Sequence, residues 1–283
     1  MTIIIRSLED DELEALDEIT KLAFQTPVSH LQDMRFYRKV EPDGWFAAVK
    51  DGRLAGMVGA ISYESFAHIG VLVVHPDLQH QGIGKALMHS LFTWLEQRQV
   101  PAAWLDASDM GRPLYEKLGF ATFGMTASFK LRDKLARTDR RPAGLQPITP
   151  DDLDELVRLD RVLFGANRRK VFQVMLDLFP GRAFLKRDAQ GQIDGYIFVQ
   201  EFRIGPWAAL HRAAAEELLQ AALSLPYKDN ATVYVPTENR AAMELVQQYG
   251  FEKTVISPHM GFHAEGIPGQ RQQIYAQTSL AAG

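Results

Sequence analysis

Apolar positions along the chain follow two rhythms, one of period two and one of period three to four, and the order of these stretches is the same in both halves. In the first half a short strand is predicted over residues 3–6. A helix over 9–24 follows, with Leu13, Leu16, Ile19 and Leu22/Ala23 on one face and an acidic first turn, as the helix dipole favours. Apolar runs over 45–49 and 54–61 flank Asp51-Gly52, which tolerates positive φ, so they read as a hairpin. Residues 68–74 form an apolar, buried strand, and Ile83, Leu87, Leu91 and Leu95 recur every four positions in a helix over 83–97. A strand over 102–107, a short helix over 112–118 closed by Gly119, and a strand over 123–131 complete the half. Hairpins mixed with strand–helix–strand crossovers predict an α/β fold on a mixed sheet.

The halves are related in sequence as well as in rhythm. Arg6-Ser-Leu-Glu-Asp-Asp-Glu-Leu-Glu-Ala-Leu16, followed by Phe24, lies without a gap on Gln146-Pro-Ile-Thr-Pro-Asp-Asp-Leu-Asp-Glu-Leu156, followed by Phe164. Ser108-x-x-Gly111-x-x-Leu114-Tyr115-x-x-x-Gly119-Phe120 answers Asn239-x-x-Ala242-x-x-Leu245-Val246-x-x-x-Gly250-Phe251. Two matches in the same order indicate duplication. The basic run between them, ending in Pro142-Ala143-Gly144, reads as a solvated connector, the alternative being a patch for phosphates or nucleic acid. The domains expected are 1–132, a linker over 133–144, and 145–283.

With 283 residues, two domains agree with the usual size of a single core. Apolar residues at 46% against 23% charged describe an ordinary soluble globular protein and argue against disorder. A net charge of −4 supplies no global positive field for nucleic acid or an anionic membrane. No apolar run approaches the ~18 residues of a membrane span, and residues 1–11 do not read as a signal peptide, so a cytoplasmic location is expected. The absence of cysteine excludes disulfides, zinc-thiolate sites and a cysteine nucleophile. No His, Asp or Glu spacing suggests a metal site.

The chemistry-bearing stretch is Val71-Leu-Val-Val-His-Pro-Asp-Leu-Gln79-His-Gln-Gly82-Ile-Gly84-Lys-Ala-Leu-Met88: a buried strand, a proline turn, a Gln/Gly loop and a helix start. The first amides of a helix lack intrahelical partners, and the dipole adds positive charge there, so a phosphate or pyrophosphate is the natural occupant. A dinucleotide fingerprint would need a third glycine where Leu87 stands, and a Walker loop has a different spacing and a following Lys-Ser/Thr. Gln79-x-x-Gly82-x-Gly84 after an apolar strand, with Leu114-Tyr115-Glu-Lys-Leu-Gly-Phe120 further on, resembles the GNAT superfamily of acyl-CoA-dependent N-acetyltransferases. The run from Leu105 to Phe120 is similar to that of bacterial proteins with two tandem GNAT domains, which would cover nearly the whole chain.

That resemblance implies two GNAT folds, each a mixed, largely antiparallel twisted sheet flanked by helices, and acetyl-CoA as cosubstrate. It sets the pantetheine arm along Leu72, Val73 and Val74, with the Leu72 amide facing the thioester oxygen. It sets the pyrophosphate on the amides of Gln79, His80, Gln81, Gly82, Ile83, Gly84 and Lys85. Ser108 stands where the family usually has Asn. Tyr115 matches the general acid that lends the leaving thiolate a proton or a hydrogen bond; a core-packed ring is the alternative. An alkylammonium has no lone pair, so a base is also needed, and His68, four residues before Leu72, is the candidate. At ~3.3 Å per residue it would act from ~13 Å through waters; Glu64 or solvent are the alternatives. Gly70 marks a bulge that would open the cofactor slot. The acceptor pocket would draw on Phe24, Phe36, Tyr37, Tyr63 and Phe66, with Asp33 or Glu64 to attract an amine.

The second half lacks the Gln-x-x-Gly-x-Gly loop, has Pro206 after its strand, and carries Val246 at the position of Tyr115. One active site per chain follows, with the degenerate second domain completing that site, mediating a homodimer, or both. The reaction expected is direct acetyl transfer to a primary amine of a small molecule or peptide. Transfer from a longer acyl-CoA, and a non-catalytic acyl-CoA sensor, are the competing functions.

Overall fold

A computed structural model describes residues 2–132 and 142–283 of the chain; the expected linker lies outside them as far as residue 141. The first half runs β1 (Ile3–Ser7), α1 (Leu13–Phe24), α2 (Leu31–Val40), β2 (Trp45–Lys50), β3 (Arg53–Ser62), β4 (Ala67–Val74), α3 (Ile83–Gln97), β5 (Ala103–Asp106), α4 (Arg112–Lys117) and β6 (Ala121–Leu131). The second runs β7 (Leu145–Pro147), α5 (Leu153–Phe164), α6 (Arg169–Leu178), β8 (Ala183–Arg187), β9 (Ile193–Val199), β10 (Ile204–Ala209), α7 (Arg212–Leu223), β11 (Thr232–Pro236), α8 (Arg240–Gln248), β12 (Phe251–Phe262) and β13 (Ile274–Ala276). Among the described residues no helix is long and apolar enough to cross a membrane.

The repeat is visible element by element. Each opening helix is preceded by a single 3-10 turn with a capping box, Glu9 with Glu12 in one half and Thr149 with Asp152 in the other. Leu13, Leu16 and Ala23 are buried in α1, as are Leu153, Leu156 and Leu163 in α5. The hairpin between β2 and β3 turns at Asp51 and Gly52, both at positive φ, as their sequence predicts. Helix α2 was not anticipated. Its buried positions, Met34, Phe36, Tyr37 and Val40, do recur at helical spacing, but among polar neighbours and soon after Pro27.

The strands build two sheets, one ordered β1-β2-β3-β4-β5-β12-β6-β11 and the other β13-β10-β9-β8-β7. In the larger sheet β4 and β5 are parallel and every other neighbouring pair is antiparallel. Strand β12 of the second half therefore lies between β5 and β6 of the first, its Pro258–Gly261 stretch matched on β6 by Met125, Gly124, Thr122 and Ala121. The exchange extends to packing. Ala127, Phe129 and Leu131 of β6 join Trp207, Leu218, Leu219 and Leu245 in one core, while Leu16, Tyr37 and Trp45 share another with Leu156, Leu163 and Phe172.

Two features open a slot between β4 and β5. The strands pair at Ala67↔Ala103 and His68↔Trp104 and then part, while β5 stays paired along its other edge with β12. Opposite Val58, β4 bulges, with Val71 at φ 52°. Gly70, expected to mark this bulge, has a second reason to be glycine: a Cβ there would lie 2.1 Å from Ala281 Cβ and 2.5 Å from its Cα. Gly70→Ala must displace the segment 278–283, so we expect a loss of roughly 1–3 kcal/mol. It should appear as a lower urea midpoint at unchanged m-value; an unchanged midpoint would show that this segment does not pack on β4.

Candidate active site

Two cavities occupy the slot and its continuation. The first, of about 430 Å³, is lined by Leu72, Val73 and Val74 of β4, by the loop and first turn of α3 (Gln79, His80, Gly82, Ile83, Gly84, Lys85), and by Ser108 and Leu114. Every residue expected to hold a cofactor except Gln81 lines it. Gln81 is turned aside, accepting a hydrogen bond from Lys50 Nζ and donating from Nε2 to the Asp77 carbonyl at 3.2 Å. Gly82 is at φ 84° and His80 at φ 60°, so the loop folds back tightly and presents the α3 amides to the cavity. Beyond His68, the edge of β4 that faces β5 offers backbone groups to an extended ligand, much as an added strand would use them. Ser108 Oγ accepts from the Gly111 amide at 3.1 Å, shaping the turn before α4.

The second cavity, of about 570 Å³, continues past the bulge between the halves. Phe24, Leu72, Ser108 and Tyr115 line both, so Tyr115 stands where they meet. Its ring packs edge-on against Phe120, and burial pushes its phenol above the ordinary value. The acceptor-side expectations divide. Phe24, Asp33 and Tyr37 line this cavity, whereas Phe36, Tyr63 and Phe66 are core residues and Glu64 lies on the surface paired with Arg161 at 3.2 Å.

His68 lines neither cavity. Its side chain, 2% exposed, lies behind Asp106, Nε2 to Oδ2 being 3.5 Å. Asp106 is gripped from several sides: Thr126 Oγ1 donates to Oδ1 at 2.6 Å, His259 Nδ1 lies 3.0 Å from the same oxygen, and Gln277 Nε2 donates to Oδ2 at 3.1 Å. Although burial alone would raise it, the neighbouring imidazoles, His259 first and then His68, hold the Asp106 carboxyl well below the usual carboxylate range. A carboxylate so well served is a poor proton acceptor, and it stands between His68 and the space where an amine would lie.

Two family models match the sequence: that of the acetyltransferase (GNAT) family over residues 11–120 and that of an acetyltransferase (GNAT) domain over 156–276. The chain belongs to the GNAT superfamily, with two GNAT domains in tandem. It is similar to the N-acetyltransferase YitH of Bacillus subtilis, 25% identical over 236 residues that cover 82% of each chain. It is also similar to the holothin acyltransferase of Pseudoalteromonas sp., 24% identical over 262 residues, 89% of this chain and 86% of that one. The fold matches that of a Pyrococcus horikoshii protein assigned to the acetyltransferases with a TM-score of 0.85 at 24% identity, covering 99% of this chain and 96% of the other. The protein is thus an acyltransferase, and GNAT acetyltransferases in general use acetyl-CoA.

The second GNAT domain has closed the corresponding slot with its own chain. Strand β13 pairs with β10 there, and Tyr275 packs on Trp207 with ring centroids 4.9 Å apart. Leu210 and His211 alone separate β10 from α7, too short a link to cradle a phosphate, and His211 Nδ1 is engaged with Asp194 at 2.6 Å. Residues 277–283 then cross to the first domain, where Ser279, Leu280 and Ala281 line the larger cavity.

The sequence left open that the second domain completes the first site, but it did not single out these residues, nor Arg203, Tyr234 and Ser257 in the same cavity. Their signal was weak, because each is a single polar residue in a domain that lacks the Gln-x-x-Gly-x-Gly loop. Arg203 forms a bidentate pair with Asp33 of α2 at 2.9 and 3.1 Å across the domain boundary. Asp33→Ala leaves the guanidinium enclosed with Gln200 Oε1 at 3.3 Å. We expect a loss of roughly 2–4 kcal/mol, somewhat below a fully buried pair because some solvent reaches both groups. Thermal unfolding measures it, and a change under ~0.5 kcal/mol would mean the pair is an ordinary surface contact.

Proposed function

We propose that the protein transfers acetyl from acetyl-CoA directly to a primary amine of a small molecule or peptide, at one site in the first GNAT domain. The observation that carries this reading is Tyr115 at the junction of the two cavities. The smaller cavity suits the cofactor: pyrophosphate against the α3 amides, pantetheine along Leu72, Val73 and Val74. The larger suits the acceptor, with the reacting atoms meeting between Leu72 and Tyr115.

In this scheme the amine lone pair attacks the thioester carbonyl carbon, and the Leu72 amide stabilises the oxygen as it becomes anionic. The tetrahedral intermediate then collapses, the C–S bond breaks and CoA leaves as a thiolate. A phenol raised by burial above its ordinary ~10 is a weaker acid than an alkyl thiol near ~8.5. Full proton transfer from Tyr115 therefore runs uphill, and its contribution is a hydrogen bond to the developing thiolate. With His68 behind Asp106, the proton of the incoming ammonium leaves through water in the acceptor cavity. The attacking nitrogen, cationic once bonded to the carbonyl carbon, gives a second proton to water and becomes the amide, and the thiolate takes up a proton from solvent.

Thiol release from acetyl-CoA across a panel of amines, polyamines, amino acids and N-terminal peptides tests the reading, and a chain without cysteine adds no background. Acetyl-CoA binding with no amine-dependent turnover would favour the sensor, and turnover with longer acyl-CoA alone would change the donor. Tyr115→Phe should lower kcat roughly 10²-fold with the melting temperature unchanged; full turnover would remove Tyr115 from the chemistry. Gly82→Ala forces a left-handed non-glycine residue costing about 1–2 kcal/mol, so the loop should relax and the Kd for acetyl-CoA rise about tenfold. An unchanged Kd would separate this loop from the cofactor.

A further inference from the structure

The cluster behind the acceptor cavity has a composition that proton transfer does not explain. His68 of β4, Asp106 at the end of β5 and His259 of β12 each turn one potential ligand atom inward, and the three atoms lie within 4.8 Å of one another. Their side chains are 2%, 0% and 5% exposed. Both ring nitrogens of His68 are buried without a hydrogen-bond partner, the 3.5 Å approach of Nε2 to Asp106 being too long for one. Leaving a buried imidazole unsatisfied costs about 1–3 kcal/mol per group, so a bound species that takes up Nε2 is the economical solution.

We propose that His68 Nε2, Asp106 and His259 Nδ1 form a binding site for a divalent transition metal, best matched by Zn²⁺, that clasps the inserted strand β12 to β4 and β5. Two imidazoles and a carboxylate are a common zinc set, with bonds of about 2.0–2.2 Å that put ligand atoms about 3.3 Å apart at tetrahedral angles. His259 Nδ1 lies 3.0 Å from Asp106 Oδ1 and His68 Nε2 lies 3.5 Å from Oδ2, so a carboxylate using both oxygens faces one imidazole with each, and the ligand atoms, all within 4.8 Å of one another, need only a small shift to close on an ion. A cavity of about 30 Å³ lined by His68, His259, Trp104 and Gln277 adjoins them and has room for one water as the fourth ligand. Supporting contacts are in place: Trp104 stacks on His259 with centroids 4.9 Å apart, Thr126 and Gln277 hold Asp106, and the nearby Arg271 is neutralised by Glu238 at 3.2 Å. The role is structural, because the carboxylate and both imidazoles join three strands from two domains. This inference stands apart from the transferase reading.

The test is metal analysis of the full chain, followed by calorimetric titration of the chelator-treated protein with Zn²⁺ alone. We expect close to one zinc per chain, a Kd of about 1 μM or tighter, and a melting temperature several degrees higher with Zn²⁺ than with EDTA, since metal affinity adds to folding stability. Mg²⁺ should produce no shift. His259→Ala should abolish uptake; should that variant not fold, His68→Gln, which leaves β12 and Asp106 untouched, should weaken it at least tenfold. The proposal is overturned if the protein takes up no zinc below ~100 μM, or if uptake is the same in wild type and both variants.

Discussion

Strand β12 binds along both of its edges, to β5 on one side and β6 on the other, and the rest of the molecule is arranged around that insertion. A strand paired on both edges satisfies its backbone groups fully, whereas β5 without it would be a four-residue strand with an open edge. β12 holds the far edge of β5, while on the near edge β4 and β5 part beyond His68 and Trp104. The walls of the slot between them belong to the first domain, and the second domain supports one of those walls from behind. His259 arrives on the same strand and meets Asp106 and His68 where the slot closes.

The two GNAT domains show what the same fold does with that gap when different segments follow. In the first, β4 and β5 leave it open, and a glycine-containing loop precedes α3. In the second, β13 lies in it and the loop has shrunk to Leu210 and His211. Residues 277–283, released from β13, then pack against Gly70 and Tyr63, with the Tyr63 hydroxyl donating to the Ala282 carbonyl at 2.6 Å. The second domain is therefore part of the wall of the larger cavity of the first.

Polar contacts across the boundary follow the same division of labour. Asp33–Arg203, Tyr37–Ser279 at 2.9 Å and Asp106–His259 each join a residue of the first domain to one of the second. Within the second domain, Arg168 is fully buried with Asp160 at 2.6 Å and reaches the Gly283 carbonyl at 3.3 Å, anchoring the crossing segment. Charged groups in such places are costly unless paired, so the correct docking of the domains is a condition for the buried charges as well as for the cavity.

The sequence by itself determined what depends on local geometry. The period of apolar residues gave most helices and strands, Asp51-Gly52 gave the hairpin, and the spacing of Gln79, Gly82, Gly84 and Tyr115 gave the family and residues that line the smaller cavity. Helix α2 escaped because its apolar face is narrow and set among charges. The tertiary structure alone decided which strand lies beside β5, that His68 lines neither cavity, and that Arg203, His259 and residues 279–281 join residues of the first domain. The physical reason is that strand pairing uses backbone hydrogen bonds common to every residue. The choice of partner is therefore made by the burial of side chains far apart in sequence, which no local pattern records.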